Sequence, residues 1–136
     1  MKPYFKIIIV WIIFFSSCIE IGDFKHLGNG FKFGYFENSK SLSNVYYNDV
    51  GIINGVCYSV EWNADFILME SYPYINGKIE KNVINIYLLN KKEYIKNPSQ
   101  LESKAVVGPL SYIALDSLKK RLNIVFTDKE KIIISD

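Results

Sequence analysis

Alternation of apolar and polar residues marks strands along most of the chain after residue 29. In Gly30 to Glu37, three aromatic residues alternate with Lys32 and Gly34, the period of a strand with one wet face. The clearest pair is Val56 to Trp62 and Phe66 to Tyr72, which only three residues separate. A short polar connection between two such runs predicts an antiparallel hairpin.

Within this hairpin the alternation also predicts which side chains share a face. On the first strand, one face is expected to carry Val56, Tyr58, Val60 and Trp62, and the other Cys57, Ser59 and Glu61. On the second strand, Phe66 and Leu68 are expected opposite Ile67 and Met69. Pro73 ends the hairpin, and Asn76-Gly77 predicts a tight turn after it.

Further strands and one charged segment follow from the same pattern. Val45 to Tyr47 predicts a short strand, and Val83 to Leu89 is dense enough in apolar residues to be a central one. Lys91 to Pro98 is charged and suits a single helical turn. Ile124 to Phe126 and Lys131 to Ile134 are expected to add edge strands.

A helix is predicted from Ser111 or Tyr112 to Leu122. Its apolar residues recur at helical spacing, Ser111 can accept hydrogen bonds from the first free amides, and Asn123 is a suitable stop. One apolar stripe on a short helix indicates packing against one face of a sheet. The expected fold class is α+β, a mostly antiparallel meander of about five to seven strands with one C-terminal helix packed on one face.

The first eighteen residues have the layout of an export signal. Lys2 and Lys6 precede the unbroken apolar run Ile7 to Phe15, and Ser16-Ser17-Cys18 follows directly. Two serines before a cysteine resemble the lipobox of bacterial lipoproteins, in which the thiol receives a diacylglycerol and the peptidase cuts before it. A retained anchor from Tyr4 to Ile19 would span about 24 Å, less than the roughly 30 Å of a hydrocarbon core. A simple cleaved signal, releasing a soluble protein, is the other alternative.

These features divide the chain into a signal peptide (residues 1–17), a lipidated Cys18 with a tether (18–29) and one globular domain (30–136). The lipid on Cys18 would hold the domain in the cell envelope outside the cytoplasm. Ile19 is not the aspartate of an inner-membrane retention signal, so the outer membrane is expected if the cell has one. The membrane is thus the first predicted partner.

Charge disfavours nucleic acid as a partner. Two of the 16 basic residues, Lys2 and Lys6, lie in the leader, whereas all 14 acidic residues follow it, so the mature domain is neutral. Phosphate binding needs a clustered positive excess. The short basic groups at 91–92 and 119–121 are expected to be solvated faces.

Few residues are available for catalysis or for a metal. His26 is the only histidine and falls in the predicted tether, and Cys57 is the only thiol after Cys18. Zinc sites of the usual nitrogen and sulfur types, triads and intramolecular disulfides are therefore not expected. Cys57 is expected to be a buried small apolar residue. No cofactor motif is present, and no cofactor is expected.

Two groups of hairpin residues remain as candidates for function. Glu61, Asp65 and Glu70 could supply a carboxylate pair for glycoside hydrolysis, although acidic residues also commonly mark the wet face and turn of a hairpin. Aromatic residues are frequent near asparagines, and exposed ones would suit a sugar or a protein partner. The ligand or partner contacts predicted among them are Trp62, Tyr72 and Tyr74.

The order of these motifs is similar to one family. A cysteine-ended leader is followed by residues 61–68 (EWNADFIL), by 83–87 (VINIY), and by Gly108-Pro109-Leu110-Ser111 before Leu115. This order resembles a family of small bacterial lipoproteins that carry a domain of unknown function. The resemblance implies an envelope location and a β-rich fold, and it brings no activity with it. We expect a non-enzymatic binding or interaction module with a protein partner in the envelope; the alternative is a glycan hydrolase or glycan-binding module.

Overall fold

The computed structural model describes residues 22–36, 40–98, 104–127 and 131–134. The strands are β1 Gly22–Gly28, β2 Phe31–Phe36, β3 Asn44–Tyr47, β4 Val50–Gly51, β5 Val56–Trp62, β6 Phe66–Tyr72, β7 Tyr74–Ile75, β8 Lys78–Ile79, β9 Asn85–Asn90, β10 Val106–Leu110 and β11 Lys131–Ile133. The helices are α1 Lys91–Lys96 and α2 Tyr112–Leu122, and a 3-10 turn spans Lys40–Leu42. Among these residues, neither helix has the length and apolar character needed to cross a bilayer.

The strands form two main sheets and a small ribbon, and all pairings are antiparallel. The first sheet has the order β1-β2-β3-β4, and the second has the order β10-β9-β6-β5-β11. β7 and β8 pair only with each other, around a left-handed Asn76–Gly77 turn. The predicted antiparallel, β-rich fold is therefore confirmed, but its strands do not form one meander. Strand β11 follows α2 in the chain and pairs with β5, the strand of the second sheet that comes first in the sequence.

The two sheets pack face to face over one apolar core. The buried side chains at this interface include Phe31, Phe33 and Val45 from the first sheet. The second sheet contributes Val60, Ile67, Met69 and Leu89. Ile67 and Met69 thus lie on the face opposite Leu68, as the alternation predicts. We call this the inner face of the second sheet.

Helix α2 covers part of the outer face of the second sheet. Leu115 and Leu118 pack with Leu68, Ile86 and Leu88 in a second apolar cluster. The Oγ atom of Ser111 accepts a hydrogen bond from the amide of Ala114 at 3.2 Å, and Asn123 adopts the left-handed conformation that ends the helix. The predicted position, cap and packing of this helix are confirmed.

The strands give the sandwich two distinct ends. β1, β3, β5 and β9 begin at the same end. In the first sheet, Gly34 pairs with both Phe24 and Asn44, and in the second sheet, Ser71 pairs with both Cys57 and Asn85. The Cys57 amide donates to the Ser43 carbonyl, which joins the starts of β5 and β3. We call this end, where the chain enters β1, the entry end. The β1–β2 turn, the β5–β6 turn and α1 form the opposite, far end.

Three predictions about elements need correction. Gly22–Gly28, assigned to the tether, forms β1, because its residues pair along the whole of β2. The expectation of one helix in the fold is wrong, because the helical turn expected within Lys91 to Pro98 forms a second α-helix, Lys91–Lys96, where the side chain of Asn90 accepts a hydrogen bond from the amide of Glu93. Residues 124–126 form no strand, because Ile124 and Phe126 pack beneath α2 instead. The leader and Cys18 lie outside the described residues.

Candidate binding surface

A β-bulge places Tyr58 on the outer face of the second sheet. Cys57 pairs with Ser71, but Ser59 pairs with the preceding residue of β6, Glu70, so Tyr58 has no partner in the register. The extra residue interrupts the alternation. Cys57, Val60 and Trp62 therefore face the inner core, and the prediction that Tyr58 shares a face with Val60 and Trp62 is wrong.

Tyr58, Glu70 and Tyr72 form a connected cluster on this outer face. The Tyr58 hydroxyl donates a 2.8 Å hydrogen bond to Glu70 Oε2. The rings of Tyr58 and Tyr72 stack with centroids 4.4 Å apart and planes inclined by 17°. Burial raises the pKa of Tyr58, and the hydrogen bond to Glu70 raises it further. The phenol, which is protonated at neutral pH, holds the carboxylate in place through this hydrogen bond.

Exposed apolar side chains surround this cluster. Tyr112, at the start of α2, is 58 % exposed and comes two residues after Leu110, which pairs with Ile86, the register partner of Glu70. Ile133 on β11 is 60 % exposed and is the register partner of Ser59. We call the surface formed by Tyr58, Glu70, Tyr72, Tyr112 and Ile133 the outer-face patch.

An ion pair borders the outer-face patch. Lys131 Nζ and Glu61 Oε1 are 2.9 Å apart, on paired positions of β11 and β5. Glu61 lies on the same face as Glu70, since Glu61 pairs with Leu68, two residues from Glu70 on β6. The surface thus combines aromatic and aliphatic groups with a charged margin, the composition typical of protein interfaces.

A separate groove lies between α2 and the edge strand β10. It has a volume of about 330 Å³ and is lined by Val107, Leu110, Ala114, Ser117, Leu118 and Arg121. No residue that the sequence marked as functional lines this groove. None of these six described lining residues is a carboxylate, so they cannot supply the acid or base of glycoside hydrolysis.

The aromatic contacts predicted from the sequence do not form one surface. Trp62 packs against the core between the sheets and pairs with Ile67 at the far end of the hairpin. Tyr72 lies at the entry end on the outer face. Tyr74 lies in the β7–β8 ribbon, beyond Pro73. Of the three, only Tyr72 belongs to the outer-face patch.

The three hairpin carboxylates do not form one group, because Glu61 and Glu70 share the outer face of the second sheet and Asp65 lies apart from them in the turn. Glu61 is paired with Lys131, and Glu70 accepts the hydrogen bond from Tyr58. Asp65 lies in the exposed β5–β6 turn at the far end, where its amide donates to Asn63 Oδ1 at 3.0 Å. Asp65 therefore lies in the turn, whereas the two glutamates lie on the strands.

Cys57 and His26 lie in different surroundings. Cys57 is fully buried in the inter-sheet core, and its thiol donates to the Ser59 carbonyl at 3.5 Å. Burial raises the pKa of this thiol, so the reactive thiolate is disfavoured. His26 is exposed on β1 and pairs with Lys32. The two side chains cannot form a Cys-His pair in this fold.

The sequence alone gave little sign of the outer-face patch. Tyr112 and Ile133 carry no motif, and the bulge that turns Tyr58 outward has no glycine or proline to mark it. In the described part of the chain, no group of acidic, histidine and cysteine side chains could hold a metal ion. A search with the chain found no matching protein family, curated protein or solved structure.

Proposed function

We propose that this protein is an envelope lipoprotein, held to a membrane by a lipid on Cys18, whose domain binds a protein partner through the outer-face patch. The lipid is supported by the leader and by the serines that precede the cysteine. Two or more acyl chains hold a protein firmly, at about 0.8 kcal/mol per buried methylene. The domain then acts by binding rather than by catalysis.

One observation supports the binding role above the others: apolar groups remain exposed around a half-buried, hydrogen-bonded pair, Tyr58 and Glu70. Tyr112 and Ile133 are more than half exposed beside the Tyr58–Tyr72 stack. Tyrosine offers a large contact area at low cost in conformational entropy, and clusters of this kind are enriched in binding hot spots. The hydrogen bond to Glu70 fixes the stack in advance of binding, which lowers the entropy lost on association.

Site-specific cross-linking in living cells tests the binding role. A photo-crosslinking amino acid is placed at Tyr112, at Ile133, or at Val50, an exposed control residue of the far end. We expect one adduct, of the same mass, from the probes at Tyr112 and Ile133. The adduct should not form with the probe at Val50, and it should disappear when Tyr72→Ala is added. Equal adducts at all three positions, or none at Tyr112 and Ile133, would contradict the proposal.

Growth with a labelled fatty acid tests the anchor separately. The label should appear on the protein and disappear in Cys18→Ser. Retention of the label in this variant would refute lipidation at Cys18.

A glycan-binding module is the second candidate, because a tyrosine stack next to a carboxylate also suits a sugar ring and its hydroxyls. Binding of purified envelope polysaccharide that Tyr72→Ala abolishes, together with failure of the cross-linking, would favour this candidate.

A further inference from the structure

The entry end of the sandwich carries a group of exposed apolar side chains separate from the outer-face patch. They come from the 3-10 turn, the β7–β8 ribbon and the segment before β9, namely Leu42, Tyr74, Ile75, Val83 and Ile84. We call this group the apolar tip. Its residues are brought together because β6 ends, β9 begins and β3 begins at this end.

Aromatic contacts connect the apolar tip to the first residues of β1. Phe24 packs edge-on against Tyr46, with ring centroids 5.8 Å apart. The Tyr46 hydroxyl donates to the Leu42 carbonyl at 2.5 Å. Tyr74 begins β7 two residues after Tyr72, the last residue of β6, so the β7–β8 ribbon starts at this same end. The point where the chain enters the domain therefore lies beside the apolar tip.

The length of the chain limits the distance between the entry end and residue 18. Only three residues separate Cys18 from Gly22, the first residue of β1. Four residue steps span at most about 14 Å even when fully extended. The far end lies about 20 Å further away, because β1 rises by about 3.3 Å at each of its residues. A lipid on Cys18 would thus hold the entry end within about 14 Å of the headgroups.

The side chains of the apolar tip have the chemistry of a membrane interface. Tyr74 combines an apolar ring with a hydroxyl, the character that concentrates tyrosine at headgroup depth. Lys78 is exposed on the same ribbon, where its stem can reach anionic headgroups. The nearby carboxylate of Glu80 accepts hydrogen bonds from the amide and side chain of Asn82. The ribbon therefore presents apolar and basic groups together.

We infer that the apolar tip inserts among the lipid headgroups and acts as a second membrane contact beside the lipid. This inference rests on the proposed lipid on Cys18. The short connection gives the apolar tip a high effective concentration at the bilayer, so even weak insertion is favoured. Docking by this end fixes the orientation of the domain, with α1 pointing away from the membrane and the outer-face patch opening sideways to a partner.

Val50 and Ile95 are two exposed apolar residues of the far end that have charged neighbours in the sequence. Val50 follows the charged Asp49, and Ile95 lies on α1 among Lys92, Glu93 and Lys96. Single exposed apolar residues of this kind are normal on soluble surfaces. Val50 therefore provides a matched control of similar exposure at the end predicted to stay in water.

Fluorescence quenching by brominated lipids tests the inference on the full-length protein. Both of the chain's tryptophans are removed by Trp11→Phe and Trp62→Phe, and one is then added as Ile75→Trp or Val50→Trp. Each protein is purified from membranes and placed in phosphatidylcholine–phosphatidylglycerol vesicles. For the tryptophan at position 75 only, we expect a blue shift and quenching of the fluorescence emission. The quenching should be strongest with lipids whose bromine atoms lie near the headgroups, since interfacial groups lie about 5–10 Å deep. Equal emission from residues 75 and 50 would overturn the inference.

The mass of the N-terminal peptide separates failure of the anchor from failure of the apolar tip. If the lipid is present but residue 75 is not quenched, the apolar tip is rejected and the anchor stands. If the lipid is absent, the same proteins are added to vesicles from solution. Quenching of residue 75 alone then supports the apolar tip and rejects the anchor, whereas no quenching rejects both.

Discussion

At the scale of single residues, the ammonium group of Lys91 joins three segments that are distant in the sequence. Its side chain is 1 % exposed. Nζ donates to the carbonyl of Leu27 at the end of β1 and, at 2.6 Å, to the carbonyl of Asn63 after β5. The Lys91 amide also donates to the backbone carbonyl of Asp65 at 2.9 Å. One residue thus fixes the far ends of both sheets to the start of α1.

Replacing this lysine should destabilise the fold. Lys91→Met keeps most of the apolar length but leaves the carbonyls of Leu27 and Asn63 without this donor. Leaving a buried polar group unsatisfied costs about 1–3 kcal/mol. We expect the free energy of unfolding, measured with urea, to fall by about that amount. Lys92→Met is the matched control, because the side chain of Lys92 is exposed. Equal losses of stability in the two variants would contradict the structural role of Lys91.

The sequence predicted the opposite environment for Lys91, and the reason is physical. Two adjacent lysines in a charged segment ordinarily indicate a solvated face, which holds for Lys92. The carbonyls that hold Lys91 come from residues 64 and 28 positions earlier in the chain. No local pattern contains that information. Cys57 was predicted well because its small apolar side chain suits a core in almost any strand arrangement.

At the scale of elements, α2 was predictable because its signals are local. The apolar spacing, the capping serine and the left-handed asparagine all lie within thirteen residues, Ser111 to Asn123. Strand β5 was only partly predictable. Its position follows from alternation, but its bulge depends on the pairing with β6, which brings Ser59 rather than Tyr58 opposite Glu70. The same missing information hid the outer-face patch.

The capping bond of α2 gives a prediction at this scale. Ser111→Ala removes the oxygen that accepts from the Ala114 amide, and loss of such a cap costs about 1 kcal/mol. We expect this loss in urea denaturation followed by circular dichroism. Ser117→Ala, in the exposed part of the same helix, should not destabilise the fold, since alanine has the higher helix propensity. A Ser111→Ala variant as stable as the parent would show that the cap contributes nothing.

At the scale of the whole molecule, the division into two sheets was beyond the reach of sequence patterns. Alternation shows that each strand has one face toward the core and one away from it. It does not show which strands pack their core faces against each other. β11 pairs with β5 across seventy residues, as the Lys131–Glu61 pair shows. β1 was missed because its residues, GDFKHLG, have weak alternation and two terminal glycines. Its pairing with β2 supplies what its own sequence lacks.

The extent of the domain provides the last prediction. If β1 belongs to the domain, a fragment beginning at Ile19 should fold cooperatively, whereas one beginning at Gly30 should not reach the same stability. The shorter fragment loses the pairing with β2, the core side chain of Leu27 and the carbonyl that Lys91 binds. Leu27→Ala in the longer fragment isolates the core contribution, about 2–5 kcal/mol for a buried leucine. The shorter fragment should lose more than this variant in urea denaturation, because the strand pairing is lost as well. Equal unfolding midpoints for the two fragments would return Gly22–Gly28 to the tether and place the first structural strand at Phe31.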